Sequence, residues 1–449
     1  MKLTAILVAT ALAASPVGAT DLDAVRKIVT DPKAAAAPGC VVGAFKGGKT
    51  LFTTAAGLAD ISTGKPLDAD TLLYAASVAK QFTSLAAVQL AVQGKIDLDG
   101  DIRKYIPELP AFDAPVTPRM LMQHTSGIRD SLALLRWAGV EGASQATKAQ
   151  TLDLVLRQKS VNFTPGTQFN YSNGGYLLLA EIVERVSGMP FSEYAGKHIL
   201  KPIGMKSSLF MNDKRPDTPQ LAHGYLPKGD SFEVRNSYPY FSGSGGLLVT
   251  INDLAKYDYD IEVGHKVWTP EVRAIMLKPG TFTNGEPALR TPGTLVYAGG
   301  LMIGPRRGQN VVQHAGGAET FKTQYTRIPD RRLGVVVFCN RGDWNPAEKA
   351  DDIIELIEGD ILTDELAPLA GRYRSDELQS TYDLAFNGDT LTAAISSPYA
   401  PTGAPIEFQR APDGSYRGDG VTLTFVDGGK GFTLSTARIL GIPFTRVAE

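Results

Sequence analysis

Near Leu366 the spacing of apolar residues changes, and no other feature of the chain restricts its fold as much. Beyond Gly371, Tyr382, Leu384 and Phe386 alternate with polar residues, as do Leu391, Ala393 and Ile395, then Leu423 and Phe425, then Phe432 and Leu434. A two-residue period belongs to half-buried strands, and Asn387-Gly388 is a hairpin signal. Residues 367–449 are therefore expected to form a small antiparallel barrel or sandwich of about seven or eight strands. Upstream, two strands (Cys40 to Phe45, Thr50 to Gly57) and three late ones (Asn310 to His314, Phe321 to Ile328, Leu333 to Phe338) bracket a largely helical middle. Helical patterns run over 21–31, Arg119 to Gln123, Thr147 to Lys159, Tyr176 to Ser187 and Asp351 to Leu362. Strands at both ends with helices around and between them predict a layered α/β domain over 20–366. With 449 residues, 43% of them apolar, the chain can fill both cores.

The first nineteen residues read differently. Met1-Lys2 is a short positive start, Leu3 to Ala14 is apolar, and Val17-Gly18-Ala19 offers small residues to a signal peptidase. We expect a signal peptide over 1–19, cut after Ala19, and export, with the periplasm as destination. No other window is long and apolar enough to span a bilayer. A net charge of −2 without a basic run argues against nucleic-acid binding. The five histidines are scattered and the two cysteines, Cys40 and Cys339, form no ligand cluster. No metal and no other cofactor is expected, and the partner is a small-molecule or peptide substrate. The sequence does not fix the oligomeric state.

The stretch Tyr74 to Phe82 carries the first chemistry. Val78, Phe82, Leu85, Ala86, Gln89 and Val92 recur at helical spacing up to Gly94, which puts Ser77 at the start of a buried helix. Residues three apart share a face, so the Lys80 amine reaches the Ser77 hydroxyl. Burial and the positive end of the helix both disfavour the ammonium, which makes a neutral amine available to activate the serine. A bare Ser-x-x-Lys is not distinctive by itself. Ser62-Thr63-Gly64-Lys65 is a second match, in what reads as a polar turn.

Two further motifs give the first one meaning. Tyr171-Ser172-Asn173 lies in a glycine-flanked loop before a helix. A phenol whose pKa is lowered by nearby cations can shuttle a proton, and the amide of Asn173 can hold a substrate carbonyl. His314-Ala315-Gly316-Gly317 ends a strand, where glycines let a substrate approach free backbone amides.

In this order and context the three motifs resemble those of class C β-lactamases and their penicillin-binding relatives, which include D-alanyl-D-alanine carboxypeptidases, D-aminopeptidases and family esterases. His124-Thr125-Ser126-Gly127-Ile128, Pro165-Gly166-Thr167, Gly204-Met205 and Gly245-Gly246-Leu247 extend the likeness over roughly 25–362. The resemblance implies a serine β-lactamase/DD-peptidase-like fold of α/β (α+β) class, a five-stranded antiparallel sheet flanked by helices plus an all-helical region. The C-terminal part is similar to the lipocalin-like domain of some D-aminopeptidase-like members. It also implies Ser77 as nucleophile, Lys80 and Tyr171 as its proton partners, and Asn173, His314, Gly316 and Gly317 at the substrate, with the N–H groups of Ser77 and Gly317 as oxyanion hole. The implied function is an exported active-site serine hydrolase that cleaves an amide or ester through an acyl-enzyme. The alternative is a penicillin- or peptidoglycan-fragment-binding protein that is acylated without efficient turnover. An α/β-hydrolase is disfavoured, because no Gly-x-Ser-x-Gly occurs.

The chain departs from the lactamase pattern at the third motif, where His314 and Ala315 replace Lys and Thr. His314 is expected to be only partly charged near neutrality and Ala315 lacks the hydroxyl, so both are weaker anchors for a substrate carboxylate, and neutral esters and D-amino-acid amides are the expected substrates. Specificity would lie in loops such as 128–146 and 205–242. The family's strand order places Cys40 near Cys339, as a disulfide or as two buried thiols.

Overall fold

A computed structural model describes residues 22–32, 36–290, 294–358, 369–387, 390–399, 403–411, 413–436 and 439–447. The signal-peptide segment, the boundary near 366 and the Gly388 turn lie outside the described residues. After helix α1 (Leu22–Ile28) come strands β1 (Cys40–Lys46) and β2 (Lys49–Ala56). The helical middle contains α2 (Lys80–Val92), α3 (Pro118–Met122), α4 (Ser131–Trp137) and α5 (Asn173–Ser187). Five strands follow: β3 (Val296–Tyr297), β4 (Met302–Arg306), β5 (Gln309–Gly317), β6 (Lys322–Ile328) and β7 (Leu333–Cys339). Helix α6 (Pro346–Glu358) closes this part.

The sheet is antiparallel and has the order β3-β4-β5-β6-β7-β1-β2. All five expected strands are present, and two short ones extend the sheet to seven at the β5 side. The short ones, Val296–Tyr297 and Met302–Arg306, are interrupted by Pro305 and flanked by glycines, so they carry little alternation. β7 is buried along its whole length. Its Val335 and Val337 join Val25 of α1, Val29 just after it and Ile353 of α6 in one core, while Val336 and Phe338 belong with Phe82 and Leu254 to the other. This explains the unbroken apolar run of β7, a strand covered on both faces. Cys40 and Cys339 are direct partners in the β1–β7 register and are joined as a disulfide, with Cα atoms 4.0 Å apart.

The alternating C-terminal stretch forms a closed eight-stranded antiparallel barrel, β8 (Gly371–Ser375) to β15 (Ile442–Arg446). Tyr373, Leu391, Phe408, Leu423, Phe432 and Phe444 fill its interior, as expected for a barrel of this strand number. A cavity of about 610 Å³ lies between barrel and sheet, lined by Met302, Gln313 and Ala315 on one side and Leu369, Tyr416 and Phe425 on the other.

Candidate active site

The expected helix from Val78 begins instead with a 3-10 turn, Ala76–Ala79, which runs into α2 at Lys80. Ala76 holds φ +48°, left-handed backbone that costs an L-residue roughly 1–2 kcal/mol. The strain sits one residue before Ser77 and turns the chain sharply from the buried Leu73-Tyr74 strand into the helix. Thr323 of β6 fastens this turn, its hydroxyl donating to the Ala75 carbonyl at 3.0 Å. Gly316 of β5 lies against the same turn. A Cβ there would stand 2.1 Å from Thr323 Oγ1 and 2.7 Å from the Ala75 carbonyl, so only glycine lets β5 and the serine turn meet. At Gly317 a Cβ would meet nothing closer than 4.0 Å, so the strand is open there.

Lys80 is buried beneath the serine. Its Nζ donates to Ser77 Oγ at 3.1 Å, to Asn173 Oδ1 at 2.8 Å and to the Ser244 carbonyl at 2.8 Å. Burial drives its pKa down to about 7, and the Asp130 carboxylate opposes this. Near neutrality both amine and ammonium are populated. The other Ser-x-x-Lys is a surface turn: Ser62 donates to Asp60 at 2.7 Å and the Lys65 ammonium turns away to the Pro219 carbonyl.

The Tyr171 phenol lies beside the Ser77 hydroxyl, and the Lys80 ammonium lies 4.8 Å from its ring centre. The expectation of a depressed phenol pKa is corrected: burial pushes it up, and the Ser77 hydrogen bond and Arg290 offset this only in part. Asn173 is not a loop residue but the first residue of α5. Its Oδ1 faces the Lys80 donor and its Nδ2 faces the Asp130 acceptor, which fixes the amide orientation. The Ser172 hydroxyl caps α5 by accepting from the Gly175 N–H at 3.0 Å.

His314 lies on the same side of β5 as Gly316 and is buried behind Tyr171. Burial holds its pKa down at about 3, so the ring is neutral rather than partly charged. Tyr297 donates to Nε2 at 2.7 Å, and Nδ1–H meets the Ala315 carbonyl at 2.6 Å. Neither ring nitrogen is left for a substrate. Ala315 is exposed at the mouth of the barrel cavity. Pairing of β5 with β4 ends at Gln313–Met302, so residues 314–317 have no strand partner on that side.

Sequence reading brought together Ser77, Lys80, Tyr171 and Asn173, and put β5 beside them. It missed Asp130, the Ser244 carbonyl, Tyr297 and Arg290. Asp130 was discoverable as an N-cap, three residues ahead of the Ala133 N–H that its Oδ1 accepts at 2.8 Å. Arg290, which donates to the Met302 sulfur at 3.0 Å, has no local signal. Among the described residues no cluster fits a metal ion, and no helix is long and apolar enough to cross a membrane.

The chain is 29% identical over 326 residues to a D-aminopeptidase of Cereibacter sphaeroides, covering 71% of this chain and 60% of that one. It is 26% identical over 426 residues to a D-aminopeptidase of Brucella anthropi, covering 90% and 76%. The fold matches the octameric penicillin-binding protein homologue from Pyrococcus abyssi with a TM-score of 0.65 at 24% identity, over 91% of this chain and 96% of that one. The sequence profile of the beta-lactamase family matches residues 25–359, a span that holds every residue of the site above, and the chain belongs to that family.

Proposed function

We propose that the protein is a serine hydrolase that cleaves an amide or ester bond, with D-amino-acid derivatives as the substrate class, through an acyl-enzyme on Ser77. The observation that carries this reading is the buried Lys80 amine at 3.1 Å from Ser77 Oγ, with the Tyr171 phenol beside it. Neutral Lys80 takes the Ser77 proton as Oγ attacks the carbonyl carbon. Tyr171, kept protonated by burial, gives its proton to the departing amine or alcohol and regains one from the Lys80 ammonium. Water then repeats the sequence on the ester, releasing the acid and free Ser77. The N–H groups of Ser77 and Gly317 hold the oxyanion, each donor worth about 3 kcal/mol. Asn173 keeps one amide hydrogen for a substrate carbonyl, since Asp130 takes the other. At β5 the substrate is held by the unpaired strand edge and the Gly316-Gly317 backbone rather than by the His314 ring.

The D-aminopeptidase relatives support the substrate class. Export with cleavage after Ala19 is part of the same proposal, and the Cys40–Cys339 disulfide suits an oxidising compartment. The test is labelling by a fluorophosphonate together with turnover of a D-alanine anilide, a short p-nitrophenyl ester, a D-Ala-D-Ala peptide and a cephalosporin. Ser77→Ala should lose both. Full labelling of that variant sinks the nucleophile assignment, and acylation without turnover of any substrate favours the binding-protein alternative.

A further inference from the structure

His124 takes no part in the proposed chemistry, yet it is fully buried among Tyr171, Tyr176 and Tyr297. It has left-handed backbone, φ +59°, just after α3. In that conformation one residue reaches both neighbours of Tyr171. The His124 carbonyl accepts from the Asn170 N–H at 2.9 Å, and its ring Nδ1 accepts from the Ser172 N–H at 3.1 Å. Its ring lies 4.1 Å from the Tyr171 ring, centre to centre, and 4.4 Å and 5.1 Å from those of Tyr297 and Tyr176. With Nδ1 an acceptor, the ring proton is on Nε2, which has no hydrogen-bond partner in its aromatic surroundings. A phenylalanine or leucine would remove the unpartnered Nε2–H, but it would be strained at this φ and would leave the buried Ser172 N–H without its acceptor.

We infer that His124 is a positioning residue: it clamps the chain on both sides of Tyr171 and presses its ring on the tyrosine, so that the phenol stays on Ser77. This rests on the reading of Ser77 and Tyr171 as the acylating pair. The clamp also keeps water from Lys80. The groups that face Lys80 are Ser77, Asn173, the Ser244 carbonyl and the Tyr171 and Tyr176 rings, with the Asp130 carboxylate acting on its charge; Lys80 in turn helps to hold the His124 and His314 rings neutral. Arg290 also acts on the charge of His124.

Asparagine separates the clamp's two parts. It tolerates left-handed backbone, and its Oδ1 can still accept from Ser172, but it has no ring. H124N should fold, with a Tm lowered by the cavity its missing ring leaves. Its limiting rate of fluorophosphonate labelling should fall about tenfold or more, with the concentration for half-maximal rate little changed, as for a group that acts only on the chemical step. The acid limb of its rate–pH profile should move to higher pH, because water beside Lys80 favours the ammonium. In a Tyr171→Phe background the same substitution should add little further loss. A labelling rate within about twofold of wild type, with an unmoved acid limb, overturns the inference. H124Q, judged by the same outcomes, takes its place if H124N yields no folded protein. Full labelling of Ser77→Ala instead sinks the reading on which the inference stands, so the two failures are distinct.

Discussion

One oxygen of Asp130, Oδ2, accepts from both the backbone N–H and the side-chain Nδ2 of Asn173, at 2.8 and 2.7 Å. Its other oxygen caps α4. One carboxylate therefore fixes the start of α5, the Asn173 amide that faces Lys80, and the helix over the cleft. It is also the charge that opposes the fall in the Lys80 pKa. Asp130→Asn removes the charge and keeps one of the two acceptor oxygens, with its NH2 set against either the Ala133 N–H or the Asn173 donors. The Lys80 pKa should fall further, so the acid limb of fluorophosphonate labelling moves to lower pH. Asp130→Ala should cost about 1 kcal/mol for the lost cap and slow labelling about tenfold or more as Asn173 loses its hold. An unmoved acid limb in Asp130→Asn would show that this charge does not reach Lys80.

His314 makes the fold sensitive to acid. Its pKa falls from 6.5 to about 3 on burial, so between these values the unfolded chain binds a proton that the native one does not. Stability contributed by the neutral ring is complete above 6.5 and is lost as pH falls toward 3. The slope is at most about 1.4 kcal/mol per pH unit. His314→Gln, which can still accept from Tyr297, should flatten the fall in urea-unfolding free energy between about pH 4 and 6.5. Equal slopes in the two proteins would mean that His314 titrates alike folded and unfolded.

What could be read from the sequence follows the range of the forces involved. Burial periodicity is local, so the five long strands, α2, α5 and the barrel are legible from residues such as Val336 and Leu423. Lys80 is legible because its partner Ser77 lies within one helical turn. Asp130 and Asn173 are 43 residues apart, and Thr323 and Ala75 are 248 apart. Contacts of that kind leave no mark in local spacing. The charge state of His314 was misjudged for a related reason: burial sets it, and burial is a property of the assembled site. The same holds for the Tyr171 phenol, where cations were expected to dominate and desolvation does.

The disulfide joins the first strand of the sheet to β7, closing a loop with a sequence separation of 299. Denatured, unreduced protein should therefore show no free thiol on titration, and Cys40→Ser with Cys339→Ser should cost about 2–4 kcal/mol of stability. Two free thiols in the wild type would show that the pair stays reduced.

Substrate choice is the last expectation, and the structure sharpens it. The lactamase pattern has a cation and a hydroxyl where this chain has His314 and Ala315. His314 is neutral and both its ring nitrogens are occupied, so it cannot anchor a carboxylate. Loss of a charged hydrogen bond costs about 1.5–3 kcal/mol, roughly one to two orders of magnitude in binding. Neutral p-nitrophenyl esters and D-amino-acid amides should thus be turned over with higher kcat/KM than a cephalosporin. Replacing His314 by lysine would bury a second cation beside Lys80, so it would depress that amine further instead of restoring the pattern. Ala315→Thr is the cleaner change: it puts a hydroxyl on the exposed side of β5 and leaves the buried cluster intact. It should raise the cephalosporin-to-ester ratio of kcat/KM about tenfold. If the native protein hydrolyses the cephalosporin faster than every ester and amide, the carboxylate is anchored elsewhere. Arg290, whose charge acts on Tyr171 and His314, is then the residue to replace by glutamine.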